Sequence, residues 1–247
     1  LSVSVPTLLR AALGPVEIVC SGRHGGVSRA PYDSCNVGDH VGDAEAAVAE
    51  NRRRVAAAAG LVDPAAWTWL RQVHGVAVHL VEGDERGAAP PEADAAVTAR
   101  PGRPLAIVTA DCAPIVLAAD DAVGVVHAGH RGLFDGVIEQ AVTRLRAITA
   151  GPVRAFLGPC IRSARYEFGE RDLARFVARF GDPVAARTDD GRLALDIPAT
   201  VRIALERAGV DRHDLADCGI CTAASPEHFS YRRDGTTGRQ VTVAVLS

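Results

Sequence analysis

Apolar and β-branched positions cluster in short strand-like runs at 16–20, 76–81, 105–109, 115–118, 122–126, 153–157 and 241–246, each the length of a strand. Between them the spacing changes. Residues 133–148 put Leu133, Val137, Ile138, Ala141, Val142, Leu145 and Ile148 on one face at the 3.6-residue period, which predicts an amphipathic helix. A second helix is predicted over 43–59, from an Asp43 cap with Glu45 in its first turn to a stop at Gly60. Two more are predicted over 170–180 and 198–208, each ending at a glycine. The runs between 105 and 126 have connections too short for crossover helices, so they must be antiparallel or meandering, whereas later strands are separated by helices. The expected architecture is α+β, a mixed-sheet α/β sandwich. The stretch 82–93, with Gly83, Gly87 and Pro90-Pro91, reads as a surface loop; no repeat or linker divides the chain, so residues 1–247 are expected to form one domain.

Composition narrows the function classes. The net charge is −3 with basic residues dispersed along the chain, which leaves no electrostatic footprint for nucleic acid or an anionic membrane. No stretch approaches the length of a transmembrane helix, and residues 1–14 carry Pro6 and Arg10 instead of a signal-peptide pattern. The 6 cysteines in 247 residues are far too sparse for a disulfide scaffold, so free thiols in a reducing cytoplasm are expected. All 27 basic residues are arginine. Lysine Schiff-base chemistry is thereby unavailable, and forked donors for phosphate or carboxylate are plentiful. Nothing in the sequence sets an oligomeric state.

Three segments bring metal-capable side chains beside turn residues: Gln72-Val73-His74-Gly75, Thr109-Ala110-Asp111-Cys112-Ala113-Pro114 and His127-Ala128-Gly129-His130-Arg131-Gly132. Any one of them taken alone is an ordinary strand end. Together they are more, because a hairpin through Asp120-Asp121 would return His127 to Cys112, and His74 can close the set. Two imidazoles and a thiolate suit a catalytic zinc with its fourth position open. The same residues also admit a metal-free site with Cys112 as nucleophile, His127 as base and glycine N–H groups around an oxyanion. Spacing does not separate the two. His130 and His79 are expected outside the ligand set. Arg23-His24-Gly25-Gly26 reads as an anion loop or an ordinary glycine turn, Cys218-x-x-Cys221 as a structural pair, and Arg232, Arg233 and Arg239 as solvated turn charges or a phosphate fork.

In order and spacing these blocks, with Pro31-Tyr32-Asp33-Ser34, Asn36, Asn51-Arg52, Asp94-Ala95, Gly158-Pro159, Tyr166-Glu167 and Phe229-Ser230-Tyr231-Arg232-Arg233, resemble the family variously named laccase-domain proteins, polyphenol oxidases, peptidoglycan editing factors and multifunctional bacterial purine nucleoside phosphorylases. The resemblance implies a zinc site on His74, Cys112 and His127. It also implies phosphorolysis of adenosine, inosine and methylthioadenosine, with adenosine deamination as a second activity, so the implied partners are a nucleoside and phosphate. It implies a fold similar to the catalytic domains of cytotoxic necrotising factors. On this reading Arg23, Asn36 and Arg131 bind substrate or phosphate, Asp111 and Glu167 transfer or orient a proton, and zinc makes water acidic enough to attack the purine C6. His130 stands where the family commonly has tryptophan, and Ser21-Gly22 where it has two threonines. Two rivals remain: a copper-dependent phenol oxidase, although no His-x-His pair is present, and a Cys112-dependent hydrolase editing peptidoglycan precursors.

Overall fold

The structure, a computed structural model, describes residues 5–247, so the first four positions of the 1–14 stretch lie outside the described residues. Strands β1 (Leu8–Leu13), β2 (Val16–Ser21), β5 (Leu105–Thr109) and β12 (Gln240–Leu246) form an antiparallel sheet in the order β1-β2-β12-β5. A second sheet contains β3 (Val78–Leu80), β4 (Ala95–Thr98), β6 (Ala113–Ala118), β7 (Val123–Ala128), β8 (Arg154–Leu157) and β11 (Leu215–Asp217). Its order is β11-β8-β6-β7-β4-β3, parallel at the two outer pairs and antiparallel within, and β9 (Ala185–Arg187) and β10 (Leu193–Leu195) form a separate antiparallel pair. The mixed sandwich expected from the pattern is the architecture found. Among the described residues no helix is long and apolar enough to cross a membrane.

Strands β5, β6, β7 and β12 are buried on both faces, which explains why they read as apolar runs instead of alternating ones. Ile18, Leu105, Ile107 and Leu246 of the first sheet meet Val116, Val125 and Phe156 of the second. The opposite parity of the first sheet, Ala106, Val108, Val241 and Val243, packs on Val55 and Ala56 of helix α1 (Glu45–Ala59). Ile115, Leu117 and Val126 of the second sheet face α3 (Val137–Arg146), α4 (Glu170–Phe180) and α5 (Ile197–Arg207). The order of layers is therefore helix, sheet, sheet, helices.

The structure departs from the pattern in instructive places. The helix expected over 133–148 is two: α2 (His130–Asp135) and α3, broken where Gly136 takes φ 101°. Strands β1 and β4 were not legible, being rich in leucine and alanine; pairing makes them strands, β1 through a tight Gly14-Pro15 turn and β4 between β7 and β3. Asp43 does not cap α1; its carboxylate accepts hydrogen bonds from Ser28 and Asn36, and the cap is Ala44. The runs 105–109 and 115–118 do not pair with each other. They belong to different sheets, and residues 110–112 carry the chain across the sandwich.

Candidate metal centre

That crossing places Cys112 directly before β6, at the open end of the β6–β7 hairpin, where Ala113 pairs with Ala128 and Pro114 with His127. The hairpin expected through Asp120-Asp121 is present and has the predicted effect. His127 shares the face of Val123 and Val125, toward the other sheet, and is buried. His74 comes from the 73–75 turn. It takes φ 61°, and Asp111 takes φ 96°; among the described residues these are the only non-glycine residues with positive φ. Such conformations cost about 1–3 kcal/mol each, so surrounding contacts must hold them.

Asp94 supplies those contacts for His74. Fully buried before β4, it accepts through Oδ1 from the His74 N–H (2.9 Å) and through Oδ2 from Val73 (3.2 Å) and Gly75 (2.7 Å). Oδ1 also meets His127 Nδ1 at 2.8 Å, while the Asp94 carbonyl accepts from the His127 N–H. Burial works against the Asp94 charge, but the His127 and Gly75 bonds outweigh it and hold the carboxyl below its usual range. One carboxylate thus shapes the His74 turn and leaves His127 Nε2 to face the triad. Sequence reasoning had named Asp94 only as part of a motif and given it no role; its signal was an acid abutting an apolar strand that pairs with the one carrying His127.

The ligand atoms of His74, Cys112 and His127 lie within 4.8 Å of one another, with Cys112 Sγ 3.7 Å from His74 Nε2. Tetrahedral zinc bond lengths put a sulfur and a nitrogen ligand about 3.6 Å apart, so that pair is close to ready-made. Burial raises the Cys112 thiol, but His127 and His74 outweigh it and bring it down to about 6. Burial likewise lowers His127, and the Cys112 thiolate and Asp94 outweigh it, raising the ring to about 9. The thiolate and two imidazoles, oriented by the single Asp94 carboxylate, fit a borderline-soft divalent ion such as zinc; copper uses the same donors. A Cβ at Gly129 would sit 2.6 Å from His74 Cδ2 and 3.1 Å from Cys112 Sγ. Its backbone, φ −72° and ψ 162°, accepts alanine. Gly129→Ala should therefore fold normally but weaken metal affinity at least about 10-fold by displacing ligands, measurable by chelator competition.

The other expected site residues divide. Arg131 opens α2 beside the triad, exposed and without an acidic partner among the described residues. Asp111 turns its carboxylate inward, accepting from Thr222 Oγ1 (2.6 Å) and the Arg232 N–H (2.7 Å), which ties the 222 turn and helix α6 (Tyr231–Asp234) to the crossing. Glu167 pairs with Arg192 at the rim. Arg23 does not present a free fork: it bonds the Asp33 carbonyl, meets Asp33 and Asp234 at 3.4 and 3.3 Å, and lies over Phe229. Asn36 is fully buried and saturated by Gly38, Asp43 and the Arg239 N–H, so it holds loops together and has no capacity left for substrate. His130 and His79 lie outside the ligand triad, as expected. His130 packs edge-on against Phe168, which continues to Tyr166, forming an aromatic wall. His79 pairs with Glu85. Cys218 and Cys221 are free thiols. A cavity of about 620 Å³ beside α1, with Trp67 and Trp69 in its lining, contains none of the triad.

Residues 17–247 match the family described as multi-copper polyphenol oxidoreductase laccase. The chain is 45% identical to a purine nucleoside phosphorylase of Streptomyces coelicolor over 88% of this chain and 90% of that one. It is 43% identical to a purine nucleoside phosphorylase of Xylella fastidiosa, over 89% and 87%. Among crystal structures, YlmD from Geobacillus stearothermophilus superposes with TM-score 0.87 at 30% identity, covering 97% and 98% of the two chains. The Bacillus licheniformis hypothetical protein YfiH gives 0.86 at 28%, covering 94% and 93%.

Proposed function

The chain belongs to the multi-copper polyphenol oxidoreductase laccase family, and from that premise we propose that it is a zinc-dependent purine nucleoside phosphorylase, one domain over residues 1–247. It converts adenosine, inosine or methylthioadenosine and phosphate into free base and the (methylthio)ribose 1-phosphate, and deaminates adenosine as a second activity. One observation carries the reading: a ligand triad with an open side, in a chain whose relatives at 39–45% identity bear the phosphorylase name across nearly their full length. Six free thiols suit a cytoplasmic enzyme.

His74, Cys112 and His127 would hold the ion, which when bound supplies Lewis acidity at the open side of the triad. The chain's own residues do the rest. The ring edges of His130, Phe168 and Tyr166, packed edge-on and tilted against one another, offer an aromatic flank for the purine. Arg131 attracts the phosphate that displaces the base at C1′, as the C–O bond forms and the C–N bond breaks. Glu167, its side chain 49% exposed beside Arg192, has the access to relay a proton from solvent water to the departing base, and Asp111 orients the loop that carries Cys112.

Product analysis tests this. With adenosine, the zinc form should release adenine and ribose 1-phosphate only when phosphate is present, and inosine without it. Dialysis against a chelator should abolish turnover and leave the near-UV circular dichroism unchanged, because two packed sheets and Asp94, not the ion, hold the ligands in place. Readdition of zinc should restore activity. Stoichiometric copper with phenol oxidation would replace this reading by the oxidase. Chelator-resistant hydrolysis with a covalent adduct at Cys112 would replace it by the peptidoglycan-editing hydrolase.

A further inference from the structure

We propose that Arg239 is the phosphate seat of this site, its Nε and Nη2 edge receiving inorganic phosphate beside Cys112. The inference rests on the phosphorylase reading and assigns its anion subsite: Arg23 is already engaged with Asp33 and Asp234, and the exposed Arg131 attracts phosphate toward the site without holding a fixed fork there.

The position follows from register. Gln240 of β12 pairs with Thr109 of β5, so Arg239 stands at the same end of the sheet as residues 110–112, where the chain crosses to Cys112. Its backbone is fixed by the buried Asn36, whose Oδ1 accepts the Arg239 N–H at 2.9 Å. Its aliphatic stem lies on Gly38, where an added Cβ would come within 2.7 Å of Cγ and 3.0 Å of Cβ. The bare glycine is what lets the arginine lie there.

The guanidinium is oriented but not neutralised. Nη1 donates to the carbonyls of Thr237 and Gly238, both at 3.0 Å, which uses its two hydrogens. Nε and Nη2 have no hydrogen-bond partner, and no carboxylate reaches the group within ion-pair distance, among the described residues. Arg52 and Arg233, by contrast, each have an aspartate. Burial works against the Arg239 charge, and Cys112 and Asp111 of the crossing are the leading groups that favour it. A half-buried guanidinium locked on one nitrogen, with its two-pronged edge open, matches a tetrahedral oxyanion in shape and charge. Such a charge without a counterion is unfavourable, and bound phosphate would offset that cost.

The experiment measures inorganic phosphate binding to the zinc-loaded protein by calorimetry, together with KM for phosphate and for inosine. Arg239→Gln should weaken phosphate binding and raise its KM by about 10- to 100-fold, the loss expected for two charge-assisted hydrogen bonds, with the inosine KM changed less than about twofold. Arg239→Lys, which keeps charge without the fork, should fall between. Gly38→Ala, which pushes the stem aside, should move phosphate KM in the same direction and decides the matter if Arg239→Gln does not fold. Unchanged phosphate affinity and KM in these variants would overturn the seat while leaving phosphorolysis intact. Wild-type protein that binds phosphate in an Arg239-dependent way yet never cleaves inosine would overturn the phosphorylase reading and leave the seat standing. If the wild type neither binds phosphate nor cleaves inosine, both fall.

Discussion

Cys112→Ala should lose stoichiometric zinc and nucleoside turnover together while the protein stays folded. The triad has no spare ligand: among the described residues His74, Cys112 and His127 form the only cluster with metal-holding geometry, and His130 and His79 point elsewhere. Structural zinc sites bind with roughly 10–16 kcal/mol shared among four ligands, so losing one of three should weaken zinc about 10²- to 10³-fold or more. The fold is spared because Cys112 is only half-buried and lies outside the apolar clusters between the layers. The checks are zinc content after gel filtration, a chelator competition curve and the urea midpoint. A variant that kept full zinc and full turnover would remove the triad from the chemistry, and His74→Ala or His127→Ala retaining both would do the same.

Asp94→Asn should be the more damaging change for stability, although it is nearly isosteric. The carboxylate collects four donors, three backbone N–H groups of residues 73–75 and His127 Nδ1. An amide presents one oxygen and two hydrogens, so two donors would face N–H and one strained turn would lose its anchor. Breaking a buried charged pair of this kind costs about 3–5 kcal/mol. Metal affinity should fall a further 10- to 100-fold or so, because the His74 turn and the His127 ring both lose their orienting partner. Urea unfolding of the metal-free protein, compared with chelator competition on the loaded protein, separates the two effects. The two variants should thus differ in kind. Cys112→Ala empties a standing site, and Asp94→Asn lets the site and the frame around it loosen. An Asp94→Asn protein as stable as the wild type would show that the turn is held by something else.

Much of the fold was legible because its signals are local. Runs such as 105–109 and 241–246 are apolar on both faces because a helix layer covers what the other sheet does not, and the 3.6 period survives in α3, α4 and α5 because each turns one face to β6–β8. Of the strands that escaped, β1 is leucine and alanine around one arginine and β4 opens on two alanines, residues that favour helices in isolation until pairing on a sheet overrides that preference, and β11 is too short to show a period. The break at Gly136 escaped for a related reason: the period on either side is continuous, and only the positive φ interrupts it.

The same division runs through the site. The sequence by itself determined that Cys112 and His127 meet, because the β6–β7 hairpin is a short-range device and its spacing alone returns His127 to Cys112, whereas His74 is brought to them by a turn held on Asp94. Only the tertiary structure decided which groups are free to act. Arg23, Asn36 and Asp111 look chemically able in one dimension, yet Asp33 and Asp234, the Gly38 and Arg239 amides, and Thr222 and Arg232 occupy them in three. Asp94 gained its role, and the Arg239 backbone its anchor, through partners 19 or more residues distant in the chain. Residue type and spacing state what a side chain can do, but whether a donor or charge is already satisfied depends on long-range contacts that no local pattern encodes.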